Sequence, residues 1–296
     1  MNPRDTPTIG VFDSGVGGLT ILSELQSRLP HARFVYAADN AHFPYGTRSP
    51  ADVTKWTLAT VGQMLATVPV DVIVVACNTA STAALPALRQ KFGIPVVGVV
   101  PAVKPAAAGT KSGVVGLLAT SATVTRPYTD ELIDQHARHV TVLKVGSKLL
   151  VDLAEAKLRG ESVVIEQVRQ EIAPFFAYKH RSSEFGAEPN SVDTIVLGCT
   201  HFPLLLDELK QAAQWPVTWL DSGSAVAQRT AAVLGERGIQ TDSGNVSRVV
   251  RGAENICFFT SVNDAMGASS VTNLLPVLAQ YDLLQVRHLP LPIDVQ

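Results

Sequence analysis

Residues 71–79 read DVIVVACNT, and residues 193–201 read DTIVLGCTH. In both stretches a Cys follows six positions after an Asp, with a short apolar run between them. Such a run, bounded by polar residues, is typical of a strand buried on both faces of a parallel sheet. Each cysteine would then end its strand, at the edge where open α/β sheets bind ligands. The repeat therefore predicts that Cys77 and Cys199 belong to two related halves and face each other across one cleft.

Strand and helix patterns alternate along the rest of the chain. A short apolar run at residues 8–12 precedes a helical pattern, and the order begins again at residues 114–118. This alternation predicts an α/β protein of two related lobes, each with a mainly parallel sheet flanked by helices, and an active site in the cleft between them. We expect residues 1–98 and 208–296 to form a discontinuous N-terminal lobe, and residues 99–207 to form the second lobe. Chance similarity of two buried strands is the alternative to duplication.

Composition narrows the class of protein. The 296 residues are 46% hydrophobic, which argues against disorder. The net charge of −2, from 24 basic and 26 acidic residues, provides no field that would attract nucleic acid or an anionic membrane. The first residues do not resemble a secretory signal, and no apolar run is long enough to span a bilayer. Three cysteines suit a reducing compartment. We expect a soluble cytoplasmic protein.

The cysteines differ in their surroundings. A single cysteine is most often a small buried hydrophobe, and Cys257, within ICFF, fits that description. By contrast, Cys77 and Cys199 precede polar residues, and helices that begin directly after them would direct backbone N–H groups at the thiols. No metal site is expected, because CTH supplies two ligands and no further Cys or His cluster completes four.

Asp13 ends the first predicted strand and precedes a glycine turn, residues 15–18. In isolation such an Asp would more often be a helix cap. The glycines allow a ligand to approach the backbone closely, but the G-x-G-x-x-G spacing of dinucleotide sites is absent, since residue 20 is Thr. We therefore expect no cofactor.

Four polar segments that follow predicted strands, residues 13–18, 44–46, 77–79 and 199–201, contain no Lys or Arg. A carboxylate ligand would therefore be held by backbone N–H groups and by the polar side chains of Ser14, Asn78, Thr79 and Thr200. His201 follows Cys199 by two positions, within reach of the same cleft.

Four segments together resemble the glutamate racemase family. They are DSGVGG at residues 13–18, PYG at 44–46, ACNTA at 76–80 and GCTHFPL at 198–204. The resemblance covers nearly the whole chain. It implies an isomerase that interconverts L-glutamate and D-glutamate without pyridoxal phosphate, supplying D-glutamate for peptidoglycan and so for cell-wall biogenesis and cell shape.

The resemblance also assigns residues. Asp13 would assist Cys77, which acts on D-glutamate, and His201 would assist Cys199, which acts on L-glutamate. Glu155 would be a further catalytic residue, although its surroundings, LAEAK, read as an ordinary helix face. The implied substrate contacts are Asp13, Ser14, Tyr45, Gly46, Asn78, Thr79, Thr200 and His201.

One departure concerns regulation. The Ala-Cys-Pro that often opens the Glu155 segment reads Gly146-Ser147-Lys148 here. This resembles the proteobacterial branch, some members of which need a cell-wall precursor as activator. We take activation by a peptidoglycan precursor as a hypothesis; the sequence leaves a monomer and a homodimer open.

Three alternatives stay open at this stage. An aspartate or hydantoin racemase would use two cysteines on a similar frame, and assays on L-glutamate and L-aspartate separate the two. A periplasmic-type binding protein also has two α/β lobes, but it would carry an export signal and would not turn over its ligand. A redox switch would pair the two cysteines, which thiol counting under air detects, although no Cys-x-x-Cys is present.

Overall fold

The computed structural model of the chain describes residues 6–178, 191–239, 241, 255–261, 271–292 and 295. The strands in these residues are β1 (Thr8–Asp13), β2 (Arg33–Ala38), β3 (Val72–Val75), β4 (Val96–Gly98), β5 (Val114–Ala119), β6 (Thr141–Gly146), β7 (Thr194–Gly198), β8 (Thr218–Leu220), β9 (Ile256–Phe259) and β10 (Gln285–His288). The helices are α1 (Leu19–Arg28), α2 (Pro50–Thr67), α3 (Asn78–Lys91), α4 (Val103–Gly109), α5 (Ser121–Val124), α6 (Pro127–His136), α7 (Leu149–Leu158), α8 (Ile165–Ala177), α9 (Leu206–Ala212), α10 (Gly223–Glu236) and α11 (Val271–Gln280). Short 3₁₀-helices span Tyr45–Thr47 and Phe202–Leu205.

The first sheet has the strand order β10-β9-β2-β1-β3-β4, and each pairing between its described strands is parallel. Its strand β3 is buried at every residue, since it lies between β1 and β4. This burial explains the continuous apolar run that precedes Cys77. The carboxyl ends of β1, β2, β3 and β9 therefore meet at one edge of the sheet.

The second sheet has the order β6-β5-β7-β8 and is also parallel. Strand β7 has the bounds expected from the repeat and is wholly buried, as is its neighbour β5. Strand β6 lies at an edge and is half-buried or exposed along its length. An α/β protein with two parallel sheets flanked by helices, as predicted from the alternation, is confirmed.

The chain forms two compact units, Met1–Val99 with Gly223–Gln296 and Val100–Ser222. The return to the first unit falls at Gly223, after β8, rather than at residue 208. The physical reason is that β8 is hydrogen-bonded to β7 and so extends the second sheet. Within the part of the chain that the structure describes, no helix is both long and apolar enough to cross a membrane.

Helix α2 begins where its sequence predicts. The Ser49 side chain is the N-cap and accepts the Asp52 N–H at 3.2 Å, and Pro50 occupies the first turn. A serine cap satisfies an N–H group that the helix leaves without a partner, and proline needs no such bond there. The chemistry of these two residues thus accounts for the start of α2.

Candidate active site

The first thiol, Cys77, lies between the end of β3 and the start of α3 and is 6% exposed. Cys77 is itself the N-cap residue of α3, and its sulfur accepts the Ala80 N–H at 3.4 Å. The Ser14 hydroxyl oxygen lies 3.6 Å from the same sulfur. Donors at a helix N-terminus favour a thiolate over a thiol. The fold therefore places Cys77 where it can act as a base.

Asp13 ends β1, the strand that pairs with β3, and it is fully buried. Its Oδ2 accepts the N–H groups of Gly15 at 3.2 Å and of Gly18 at 3.0 Å. Only glycine allows this approach, because a Cβ on Gly18 would lie 2.9 Å from the Asp13 Cβ. A fixed carboxylate and a thiol therefore follow neighbouring strands of one sheet.

The other residues predicted to contact substrate in this unit lie nearby in sequence and are mostly buried. Ser14, Asn78 and Thr79 are each less than 5% exposed. Among the described residues, the Asn78 Oδ1 atom is buried and accepts no hydrogen bond. An unpaired buried oxygen is costly unless a ligand pairs with it. This oxygen is therefore a candidate contact for a ligand N–H group.

Tyr45 and Gly46 belong to a short 3₁₀-helix that follows β2. The Tyr45 side chain is buried, and its hydroxyl donates a 2.5 Å hydrogen bond to Asp39 Oδ2. Burial raises the pKa of Tyr45 well above its usual value, with further contributions from the Asp39 carboxylate and the charge of Cys77. The Tyr45 hydroxyl therefore stays protonated and donates to Asp39. No sequence motif singled out Asp39, although it directly follows β2 and Asp13 is the last residue of β1.

The second thiol, Cys199, follows β7 and is also 6% exposed. Its sulfur lies 3.9 Å from His201 Nδ1, and His201 Nε2 lies 2.8 Å from Glu155 Oε1. Thr200, between them, is 4% exposed. The three groups Cys199, His201 and Glu155 therefore form a line in which a carboxylate orients an imidazole beside a thiol. Such a line is the arrangement used to activate a nucleophile or base.

Three contacts position helix α7, which places Glu155 beside His201. Helix α7, which carries Glu155, begins after Ser147, whose hydroxyl accepts the Leu150 N–H at 3.0 Å. Lys157 Nζ donates to the Leu204 carbonyl and to Glu208, each at 2.8 Å. The ammonium thus links α7 to the segment that follows His201.

The prediction that a helix begins directly after Cys199 is wrong for an α-helix. The turn there is a 3₁₀-helix, in which Phe202 N–H donates to the Cys199 carbonyl and Leu204 N–H donates to the His201 carbonyl. Helix α9 begins only at Leu206. Cys199 consequently lacks the α-helix N-terminus that Cys77 has, and the His201 imidazole lies beside it instead.

The pKa of His201 reflects opposing causes. Burial lowers the pKa, but the hydrogen bonds with Cys199 and Glu155 and the negative charges of these two groups outweigh burial. The pKa of His201 therefore stands well above its ordinary value. A positively charged imidazole ring therefore lies 3.9 Å from the Cys199 sulfur.

This shift predicts a pH-dependent stability. Because folding raises the pKa of His201, its contribution is complete below the unfolded pKa of about 6.5 and is lost as the pH rises through the folded pKa. Glu155→Gln removes one group that raises this pKa. Urea unfolding should show that the variant is less stable than the wild type near pH 6.5, by a difference that shrinks at higher pH.

The matched control is Glu161→Gln, since Glu161 pairs with Arg159 at 2.9 Å and its side chain is 58% exposed. This exposed pair should contribute little at any pH. A stability loss in Glu155→Gln that is the same across the pH range would contradict a protonated His201.

Cys257 differs from the two other cysteines. It lies within β9 and is fully buried, and burial raises the pKa of its thiol well above the ordinary value. Cys257 therefore stays protonated and inert, as its apolar surroundings in the sequence predict. No group of three or more potential metal ligands occurs in the described residues.

A separate feature of the first unit is a cavity of about 570 Å³ between α3, β4 and α10. Its lining includes three arginines, Arg89, Arg229 and Arg237, together with Glu236. Arg229 pairs with Glu236 at 2.8 Å. The lining is thus net positive, and no motif in the sequence pointed to it.

Comparison with known proteins gives consistent results. Residues 20–230 match the family model of Asp/Glu/Hydantoin racemase. The chain is 45% identical to a glutamate racemase of Salmonella enteritidis, over 96% of this chain and 92% of that protein. It is 44% identical to a glutamate racemase of Klebsiella pneumoniae, over 98% and 94% of the two chains.

Among solved structures, the fold is similar to that of Escherichia coli glutamate racemase in complex with L-glutamate and the activator UDP-MurNAc-ala. The TM-score is 0.82 and the identity 42%, over 97% of this chain and 99% of that one.

Proposed function

The chain belongs to the glutamate racemase family, and on that premise we propose that it interconverts L-glutamate and D-glutamate by proton transfer between two thiols, without a cofactor. The observation that carries the proposal is that each unit places a buried cysteine just after a buried strand, together with a different proton acceptor of the same unit. Cys77 lies in the unit of Asp13, and Cys199 lies beside His201 and Glu155.

Inversion of a carbon centre requires a base on one face of the α-carbon and an acid on the other. From L-glutamate, the Cys199 thiolate would take the α-proton, and the Cys77 thiol would return a proton to the opposite face. From D-glutamate the two roles are exchanged. Asp13 and His201 would accept or return the thiol protons, so that each cysteine can be reset for either direction.

The intermediate carbanion needs stabilisation, because negative charge develops on the α-carboxylate. Hydroxyl groups of Ser14, Thr79 and Thr200, with nearby backbone N–H groups, are the donors that would bind it. The unpaired Asn78 Oδ1 would accept from the α-ammonium group. Neutral donors suit this task. Their hydrogen bonds become stronger as negative charge develops in the transition state, and they add no positive charge that would bind the ground-state substrate too tightly.

The direct test is racemisation in D₂O. L-glutamate should be converted into D-glutamate that carries deuterium on the α-carbon, while L-aspartate should remain unconverted. Products without deuterium would exclude proton abstraction. Turnover of aspartate instead of glutamate would assign the chain to another substrate of the same family.

We propose further that a peptidoglycan precursor of the UDP-MurNAc class activates the enzyme. The support comes from the Escherichia coli protein, which was solved with such an activator, and from the arginine-lined cavity of the first unit. Guanidinium groups suit the diphosphate of a nucleotide sugar. We further propose a cytoplasmic location, where the thiols would stay reduced.

Activation is tested by adding UDP-MurNAc-ala to the racemisation assay. We expect the rate to rise, and Arg89→Ala to need a concentration of activator at least about tenfold higher, as for the loss of one charged hydrogen bond. Arg138→Ala, at an exposed arginine of the other unit, should respond as the wild type does. A rate that the precursor leaves unchanged would overturn this part of the proposal.

A further inference from the structure

A buried carboxylate that the proposed mechanism does not use lies next to the candidate site. Asp39 follows β2 and is fully buried. Its oxygens accept hydrogen bonds from the Tyr45 hydroxyl at 2.5 Å, the Thr260 hydroxyl at 2.7 Å and the His42 ring at 2.9 Å. Burying a carboxylate lowers the stability of a fold unless hydrogen bonds satisfy its oxygens. We therefore expect the hydrogen bonds of Asp39 to serve a function.

The same residues connect the loop after β2 to the edge of the first sheet. The Asp39 N–H donates to the Asp13 carbonyl at 2.9 Å, and the Thr260 N–H donates to the Ala38 carbonyl at 3.1 Å. The Thr260 hydroxyl also accepts the Ala41 N–H at 3.1 Å. Asp39 therefore lies between the strand ends of Asp13 and Thr260, and it holds the loop from both sides.

Through Tyr45 the network reaches the surroundings of Cys77. The Tyr45 ring belongs to the same cluster of buried residues as Cys77 and Phe12, and its centroid lies 6.3 Å from that of Phe12. On its other side the ring lies 6.0 Å from Trp56, on which the His42 ring stacks at 4.1 Å. The Tyr45 hydroxyl is thus the polar end of a side chain that packs with the thiol's apolar neighbours.

We propose that Asp39 is a positioning residue for racemisation: by binding the Tyr45 hydroxyl, its carboxylate fixes the Tyr45–Gly46 segment for contact with the substrate. Hydrogen bonds to an ionised acceptor are shorter and stronger than those between neutral groups, and they fix geometry accordingly. Asp39 does not itself touch the reacting atoms. The kinetic part of this proposal rests on the proposed function.

The test combines Asp39→Asn, Tyr45→Phe and the double variant. Each single variant should raise the KM for glutamate about tenfold with kcat changed by less than about twofold, because loss of a binding contact weakens ground state and transition state alike. If Asp39 acts through Tyr45, the double variant should be no worse than the poorer single variant.

Asp71→Asn is the matched control. The Asp71 carboxylate also accepts a backbone hydrogen bond in the first unit, from the Thr8 N–H at 2.8 Å, but it precedes β3 at the opposite edge of the sheet. This variant should keep the KM of the wild type even if it is less stable. Equal KM changes in Asp39→Asn and Asp71→Asn, or additive effects of Asp39→Asn and Tyr45→Phe, would overturn the proposal.

A second readout does not depend on activity. In protein labelled with ¹³C at the tyrosine Cζ atom, the Tyr45 resonance is identified by its loss in Tyr45→Phe. It should move upfield in Asp39→Asn, because a hydroxyl that donates to a carboxylate carries more phenolate character. If the wild type does not racemise glutamate, the proposed function fails, whereas an unmoved resonance overturns the positioning role. If Asp39→Asn does not fold, a Tyr45→Phe variant with the wild-type KM overturns it alone.

Discussion

Replacing Cys77 or Cys199 with alanine is expected to lower kcat for glutamate racemisation by about 10⁴-fold or more, because each thiol supplies one of the two proton transfers and no neighbouring group can substitute for it. Cys257→Ala should keep nearly the full kcat, since that thiol is fully buried and stays protonated. Chiral analysis of the glutamate formed by each purified variant measures the effect.

The single variants also test which hand each thiol serves. Cys77→Ala keeps Cys199, so any residual exchange with D₂O should appear in L-glutamate, while Cys199→Ala should exchange D-glutamate. Full racemisation by either variant would exclude the two-thiol mechanism. Exchange of the opposite enantiomer would reverse the assignment of the two cysteines while leaving the mechanism in place.

His201→Asn is expected to lower kcat/KM by about 10²–10⁴-fold, the usual contribution of an acid–base group. The loss should be the same for L-glutamate and D-glutamate, because the equilibrium constant between enantiomers is unity and fixes the ratio of the two kcat/KM values. His201 is buried and bonded to Glu155 at 2.8 Å, so asparagine removes the titrating ring while it retains a polar side chain of similar reach.

The control is His139→Asn in the same unit, where the ring lies 3.3 Å from the Ala107 carbonyl. We expect this variant to keep the wild-type kcat/KM. A His201→Asn enzyme with less than a tenfold loss would mean that proton transfer at Cys199 does not need the imidazole.

The parts of this structure that the sequence predicts are those in which one local cause dominates. Strands β3 and β7 are buried on both faces, and so they appear as uninterrupted apolar runs that end at a cysteine. The start of α2 follows from the chemistry of Ser49 and Pro50 alone. In each case the residues that decide the local structure are adjacent along the chain.

Partners far apart in the sequence leave no such signal. Thr260 donates to Asp39 across 221 positions, and Glu155 meets His201 across 46. Nothing in the composition around Glu155 distinguishes it from an exposed helix residue; only the placement of α7 beside the turn after β7 does so. The 3₁₀-helix after Cys199 was missed for a related reason, because a proline near a helix start is compatible with both kinds of helix.

Cys77 is both the N-cap of α3 and a proposed catalytic thiol, and these two roles favour different residues at this position. Sulfur is a weak acceptor for the Ala80 N–H, and a serine oxygen there would cap the helix better. Cys77→Ser should therefore yield a protein that resists urea at least as well as the wild type but does not racemise glutamate, since a hydroxyl is too weak an acid to be ionised by these neighbours. A screen of variants for thermal stability alone would therefore favour serine at position 77 and lose racemase activity.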